Sequence, residues 1–255
     1  MSPSQPVQVT HRSQICEVRL NRPEKRNALT AEMYGILVDA FAEAETDDDT
    51  RALLLSGEGA SFTAGNDLKD FLNAPAVAEP DHVISRFLRA LSSFSKVLIA
   101  AVHGPTVGIG VTLLLHCDLV IAARSTKLIM PFVRLGLVPE AASTLLLPRV
   151  IGQQRAAEVL LLGEPIDALT AKDWGFVNRV VDDEALMEEA RAFSDAAVRQ
   201  PPGAVRATKQ LMRSAQTADI AARIQEELNV FSARLGSTEF VAAAQAFFGK
   251  TSGGS

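Results

Sequence analysis

The chain is poor in cysteine. Cys16 and Cys117 are the only two in 255 residues, too few for a disulfide framework or a zinc cluster. A reducing compartment follows by default, and the cytoplasm is the expected location. No run of Lys or Arg occurs; 25 basic against 30 acidic residues leave a formal charge of −5 and a pI near 5.5. That balance excludes a nucleic-acid binder, whose affinity comes from neutralising phosphates. Long apolar runs are missing too. The most apolar segment, 108–123, is interrupted by His116 and Asp118 and falls short of a membrane span. The first ten residues hold no basic stretch followed by an apolar one, so no secretory signal is expected there. Apart from a Gly/Ser tail at 252–255 there is no low-complexity block, and no internal repeat.

Several common catalytic signatures are absent as well. Gly57-x-Gly59-x-x-Phe62 lacks the third small residue of a dinucleotide fingerprint. No Gly-x-Ser-x-Gly elbow occurs. His116, Cys117 and Asp118 are adjacent, and chain neighbours do not face one metal, so no metal site is expected. His103, before a Gly-Pro turn, and Trp174, at a helix end, read as structural residues.

What the chain does have is an apolar share of 47%, enough to bury a sizeable core in one large domain with or without a smaller appendage. Its first half alternates strands with helices. Residues 15–20 read as a strand ended by Asn21-Arg-Pro, since proline cannot continue a ladder. Thr30 suits an N-cap, and Met33, Ile36, Leu37, Ala40 and Phe41 follow at helical spacing. The runs 52–55, 97–102 and 119–123 are wholly apolar or nearly so, as strands buried on both faces require. Helices are predicted over 83–94 and 108–115. This rhythm predicts an α/β fold with parallel pairing. From Gln153 onward the texture is helical, with segments at 156–162, 170–174, 183–198, 202–214, 220–235 and 238–248. The expected division is an α/β core over 1–197 and a helical region over 198–255.

Two segments place small residues between a buried strand and a helix: Ser61-Phe-Thr-Ala-Gly-Asn-Asp-Leu68 and His103-Gly-Pro-Thr-Val-Gly-Ile-Gly-Val-Thr112. Such a junction leaves backbone N–H groups free, and one donor from each could converge on a carbonyl oxygen as an oxyanion hole. Glycines that merely make tight turns would look the same. Glu140, in Leu135-Gly-Leu-Val-Pro-Glu140-Ala-Ala-Ser, stands among apolar residues. It reads equally as a base of raised pKa or as a carboxylate at a helix N-terminus.

These segments, in this order and spacing, resemble the crotonase superfamily, also called the enoyl-CoA hydratase/isomerase family. Leu20-Asn-Arg-Pro-Glu-Lys-Arg-Asn-Ala-Leu29, the two glycine-bearing loops, Pro165-Ile-Asp-Ala-Leu-Thr-Ala and Gly175-Phe-Val-Asn all have counterparts there, over nearly the whole chain. The resemblance implies a spiral of β-β-α turns followed by helices used for trimerisation, as a homotrimer or a homohexamer. It implies an acyl-CoA thioester substrate, and no cofactor beyond the coenzyme A of that substrate. The N–H groups of Asn66 and Ile109 would hold the thioester oxygen. Lys25, Arg26, Ala28, Ala64, Gly65, Asp67 and Leu68 would lie along the coenzyme A, and Phe248 and Lys250 would close its site from a neighbouring subunit.

Hydratases of the family carry two glutamates where this chain has Thr112 and Phe132. Losing both removes the groups that activate water, so the expected activity is that of a Δ3,Δ2-enoyl-CoA isomerase with Glu140 as its single base. The isomerase branch places Glu or Asp at this position. The alternatives are an enoyl-CoA hydratase using Glu140 and a relayed water, a hydrolase or lyase, and a non-catalytic acyl-CoA-binding protein.

Overall fold

The structure is a computed structural model that describes residues 5–67, 69 and 77–252, with side chains as far as 246. Strands β1 (Val7–Arg12) and β2 (Ile15–Leu20) form an antiparallel hairpin in which Val9 faces Val18. β2 then pairs in parallel with β3 (Ala52–Gly57), and the parallel ladder continues through β4 (Val97–Val102). After the short strand β5 (Pro105–Val107), β6 (Leu119–Ala123) pairs with β4. Two more short strands, β7 (Lys127–Ile129) and β8 (Ile166–Asp167), precede β9 (Arg179–Val181), which completes the six-stranded sheet in the order β1-β2-β3-β4-β6-β9. β5, β7 and β8 make a second, three-stranded sheet.

Alternation decides which core each side chain joins. Leu53, Leu55, Leu98, Ala100 and Val102 point into the larger core, with α1 (Ala31–Thr46) and α2 (Val83–Ser93). Ala52, Leu54, Ile99, Ala101 and Ile121 point the other way, onto Leu186 and Ala190 of a later helix, Leu186–Val198. The spiral expected from the resemblance is visible in the backbone. β3 is followed by residue 63, β4 by β5, and β6 by β7; the followers stack through the Thr63–Thr106 bridge and the β5–β7 ladder.

The predicted helix 108–115 is α3 (Ile109–Thr112), which tightens into a 3₁₀ turn over Leu113–His116. A helix that the sequence reading did not single out, α4 (Ser143–Ile151), follows Glu140 and leads into α5 (Gln153–Leu162) and α6 (Ala168–Asp173). The remaining helices are α7 (Leu186–Val198), α8 (Pro202–Ser214), α9 (Thr217–Leu235) and α10 (Thr238–Ser252). Asp118 ties α8 to the sheet: it accepts from Leu98 N–H at 2.8 Å, Lys209 at 2.7 Å and Arg213 at 3.0 Å. Trp174 packs partly buried against the larger core with the Arg155 guanidinium 5.3 Å from its ring, and His103 Nε2 lies 2.8 Å from Gly59 O. Among the described residues no helix is long and apolar enough to cross a membrane.

Candidate active site

The two glycine-bearing loops lie side by side. Val107 N–H donates to Thr63 O at 2.9 Å, and a side chain at Gly65 would meet Val107 O at 3.0 Å. Gly65 and Gly108 sit at φ of 86° and 56°, the left-handed region where a Cβ is costly. Gly108 spends its own N–H on Ile129 O at 2.8 Å, and its carbonyl takes the N–H groups of Val111 and Thr112. Around Asn66, the neighbours Gly65 and Asp67 bond Leu29 through their O and N–H. Among the described residues the N–H groups of Asn66 and Ile109 find no acceptor. The loops thus present one free N–H donor each from adjoining backbone.

Glu140 is 3% exposed, behind Pro139 and the buried Leu137. Its Oε1 accepts the hydroxyl of Thr112 at 2.7 Å, which brings α3 and the Glu140 turn together. Burial pushes Glu140 up to about 8; the Thr112 hydrogen bond pulls against this, and the charge of Glu227 adds to it. Glu140 stands just before α4, and its own carbonyl accepts the N–H of Ser143 at 3.1 Å. Its side chain bonds Thr112, while the N–H of Thr144 in the first turn of α4 is taken by Glu227, from α9. Phe132, 5% exposed, brings its ring edge to 3.9 Å from where a Cβ on Gly108 would stand, so it covers the second loop.

The turn after Glu140 is strained. Ala141 and Ala142 have φ of 62° and 55°, consecutive left-handed alanines that cost roughly 1–2 kcal/mol each. His116 Nε2 donates to Ala141 O at 2.8 Å, since a carbonyl can only accept. Burial pushes this imidazole down to about 4, so it is neutral.

At the rim, Lys25 and Arg26 are exposed and Ala28 is half-buried. This stretch is laced to the first loop: Ala64 N–H donates to Arg26 O at 2.8 Å, and Asn27, with φ of 55°, donates to the carbonyls of Glu58, Ser61 and Phe62. Asp67 is engaged with Arg22 at 2.8 Å; burial alone would raise its pKa, and the bonds from Arg22 and Lys69 N–H bring it below the usual range. Leu68 lies outside the described residues, as do the side chains of Phe248 and Lys250 on α10.

Two polar residues of this neighbourhood escaped the sequence reading. Tyr34, fully buried on α1, donates its hydroxyl to Asn66 Oδ1 and is held neutral by burial and by the charge of Glu140. Glu227 comes from a helix 87 positions beyond Glu140 in the chain. The only signal for Tyr34 was its uniqueness as the chain's single tyrosine; Glu227 looks like any other glutamate of an amphipathic helix. Two surface clefts of about 240 and 410 Å³ between β4, α7 and α8 share no residue with this cluster.

Known proteins share this sequence pattern and fold. The sequence pattern of the enoyl-CoA hydratase/isomerase family matches residues 10–252. The 1,2-epoxyphenylacetyl-CoA isomerase of Escherichia coli K12 is 38% identical over 244 residues, 93% of either chain. Enoyl-CoA delta isomerase 2 of Rattus norvegicus is 34% identical over 96% of this chain, which spans 63% of that protein. The structure of Pseudomonas aeruginosa OdaA superposes with a TM-score of 0.93 at 42% identity, over 96% of this chain and 99% of that one.

Proposed function

The chain belongs to the enoyl-CoA hydratase/isomerase family, and from that premise we propose that it is a Δ3,Δ2-enoyl-CoA isomerase in fatty-acid or related acyl-CoA metabolism. One observation carries the choice of reaction: the buried Glu140 carboxyl bonds Thr112, and Thr112 and the buried Phe132 stand where the family's hydratases carry glutamates. Hydration needs groups that activate water and deliver a second proton. A hydroxyl and a phenyl ring supply neither. Isomerisation needs one base that takes a proton and gives it back.

In this reading the thioester oxygen accepts from the N–H groups of Asn66 and Ile109. One such donor is worth roughly 3–4 kcal/mol in the barrier, because it binds the enolate more strongly than the ground-state carbonyl. Glu140 removes the proton at C2, the electrons move into a dienolate, and the protonated carboxyl returns the proton at C4. A carboxylate raised to about 8 is a stronger base than an ordinary one, which narrows its gap to the weakly acidic C2 proton. Phe132 keeps water from the dienolate. Lys25 and Arg26 would meet the phosphates of coenzyme A, with Ala28, Ala64 and Gly65 along its path. Phe248 and Lys250 would close the site across a homotrimer or a dimer of trimers.

The test is to incubate the protein with trans-3-hexenoyl-CoA and with crotonyl-CoA and to weigh the products. Isomerisation is mass-neutral and hydration adds one water. Conversion of the 3-enoyl substrate without mass change is expected; a hydrated product as the main outcome would replace this reading with that of a hydratase. Turnover of neither substrate, with thioester binding retained, would point to an acyl-CoA binder.

A further inference from the structure

Glu227 lies midway along α9 and is 5% exposed. Its Oε1 accepts from the N–H of Thr144 at 2.9 Å and from the Thr144 hydroxyl at 2.6 Å, and the nearby N–H of Ala142 favours its ionised form. These are donors that the start of α4 leaves free. The helix needs an outside acceptor because its N-cap is Ala142, left-handed and without a polar side chain. Arg223, one turn earlier on α9, donates to the Thr144 hydroxyl at 3.0 Å and completes the grip. Glu227 Oε2 is buried without a partner among the described residues.

The segment so gripped is the strained one. The left-handed Ala141 and Ala142 directly follow Glu140, and His116 pins them from the other side through Ala141 O. Resting on the reading of Glu140 as the base, we infer that Glu227 is a positioning residue: by holding the N-terminus of α4 it keeps the left-handed turn that aims Glu140 at C2 of the acyl group.

Its charge acts on the base as well. Burial pushes Glu227 up to about 7, against the pull of Thr144, Ala142 and Arg223, and its ionised form pushes Glu140 higher. The other titratable groups around the pair are Arg223 on α9, with its exposed partner Glu226, Tyr34 from α1 and His116 from the 3₁₀ turn. α2 turns Ile84, Ser85 and Leu88 inward, none of them charged. His116 and Tyr34 stay neutral through the neutral range, so Glu227 is the group whose titration reaches Glu140 there.

Two variants separate grip from charge. Glu227→Gln keeps an oxygen for Thr144 and loses the charge; kcat should stay within about threefold, while the limb of kcat/KM set by Glu140 moves to lower pH by about half a unit. Glu227→Ala loses both, and kcat should fall about 30-fold with KM little changed, the cost of a misaimed base. Carbon-13 NMR of protein labelled at glutamate carboxyls follows Glu140 without turnover, its signal assigned by its loss in Glu140→Gln. A downward move of that titration in Glu227→Gln supports the inference, even if Glu227→Ala does not fold. Wild-type kcat and a wild-type Glu140 titration in the folded variants would overturn it. Turnover that survives Glu140→Gln would sink the reading of Glu140 as base, and the titration then decides the link between the two carboxyls alone.

Discussion

Glu140 draws its reactivity from its surroundings, and Thr112 is the one group whose hydrogen bond opposes them. The hydroxyl favours the ionised carboxylate, so removing it raises the pKa further. Thr112→Val should therefore move the rising limb of kcat/KM to higher pH and lower the rate at pH 7 by about tenfold, one unit of pKa being one decade of ionised base. A pH–rate profile checks this; a limb that stays put would mean that Thr112 does not touch the base in solution. Apolar neighbours marked Glu140 as unusual but left two readings open, and the family resemblance singled out Glu140, Thr112 and Phe132 together. Tyr34 and Glu227 were not legible, because they reach the site by tertiary packing alone.

Among the elements, the buried strands and the long helices were legible and the short strands were not. Residues 15–20, with Ile15, Val18 and Leu20 apolar, and the uninterrupted aliphatic run 97–102 form strands with the predicted bounds. β5, β7, β8 and β9 have two or three residues each, too few for any periodicity to register. They exist because successive turns of the spiral stack and supply partners. The stacking depends on close backbone approach. A Cβ on Gly104, at φ 55°, would stand 2.1 Å from Ala60 O, where the first turn meets the second. Gly104→Ala should cost roughly 3 kcal/mol through clash and left-handed strain together, read as a lowered denaturation midpoint. α4 escaped the sequence reading for a related reason: its cap is supplied by Glu227 from another helix, so no local capping pattern marks its start.

For the whole molecule, a buried base is a liability to the fold. Glu140 titrates near 4.5 in an unfolded chain and at about 8 in the folded one, so the folded state holds a proton that the unfolded state has released between those values. Stability therefore falls as pH rises from about 4.5 to 8, and Glu227 adds to the same trend. Glu140→Gln should leave the melting temperature nearly unchanged at pH 5 and raise it by several degrees at pH 8.5, a gain in stability accompanied by loss of activity. An equal shift at both pH values would show that Glu140 is not buried as an acid. The Asp118 latch makes the opposite prediction. Asp118→Ala leaves Lys209, 8% exposed, without its counter-charge, and should destabilise the fold by about 3 kcal/mol in urea unfolding.

The central claim is that one carboxyl carries a proton from C2 to C4 in a site closed to water. It is tested most directly with a 3-enoyl-CoA deuterated at C2, converted in ordinary water and examined by NMR for deuterium at C4 of the product. The account predicts deuterium at C4 with the wild type, and no conversion with Glu140→Gln. Product formed at the wild-type rate by Glu140→Gln would contradict it.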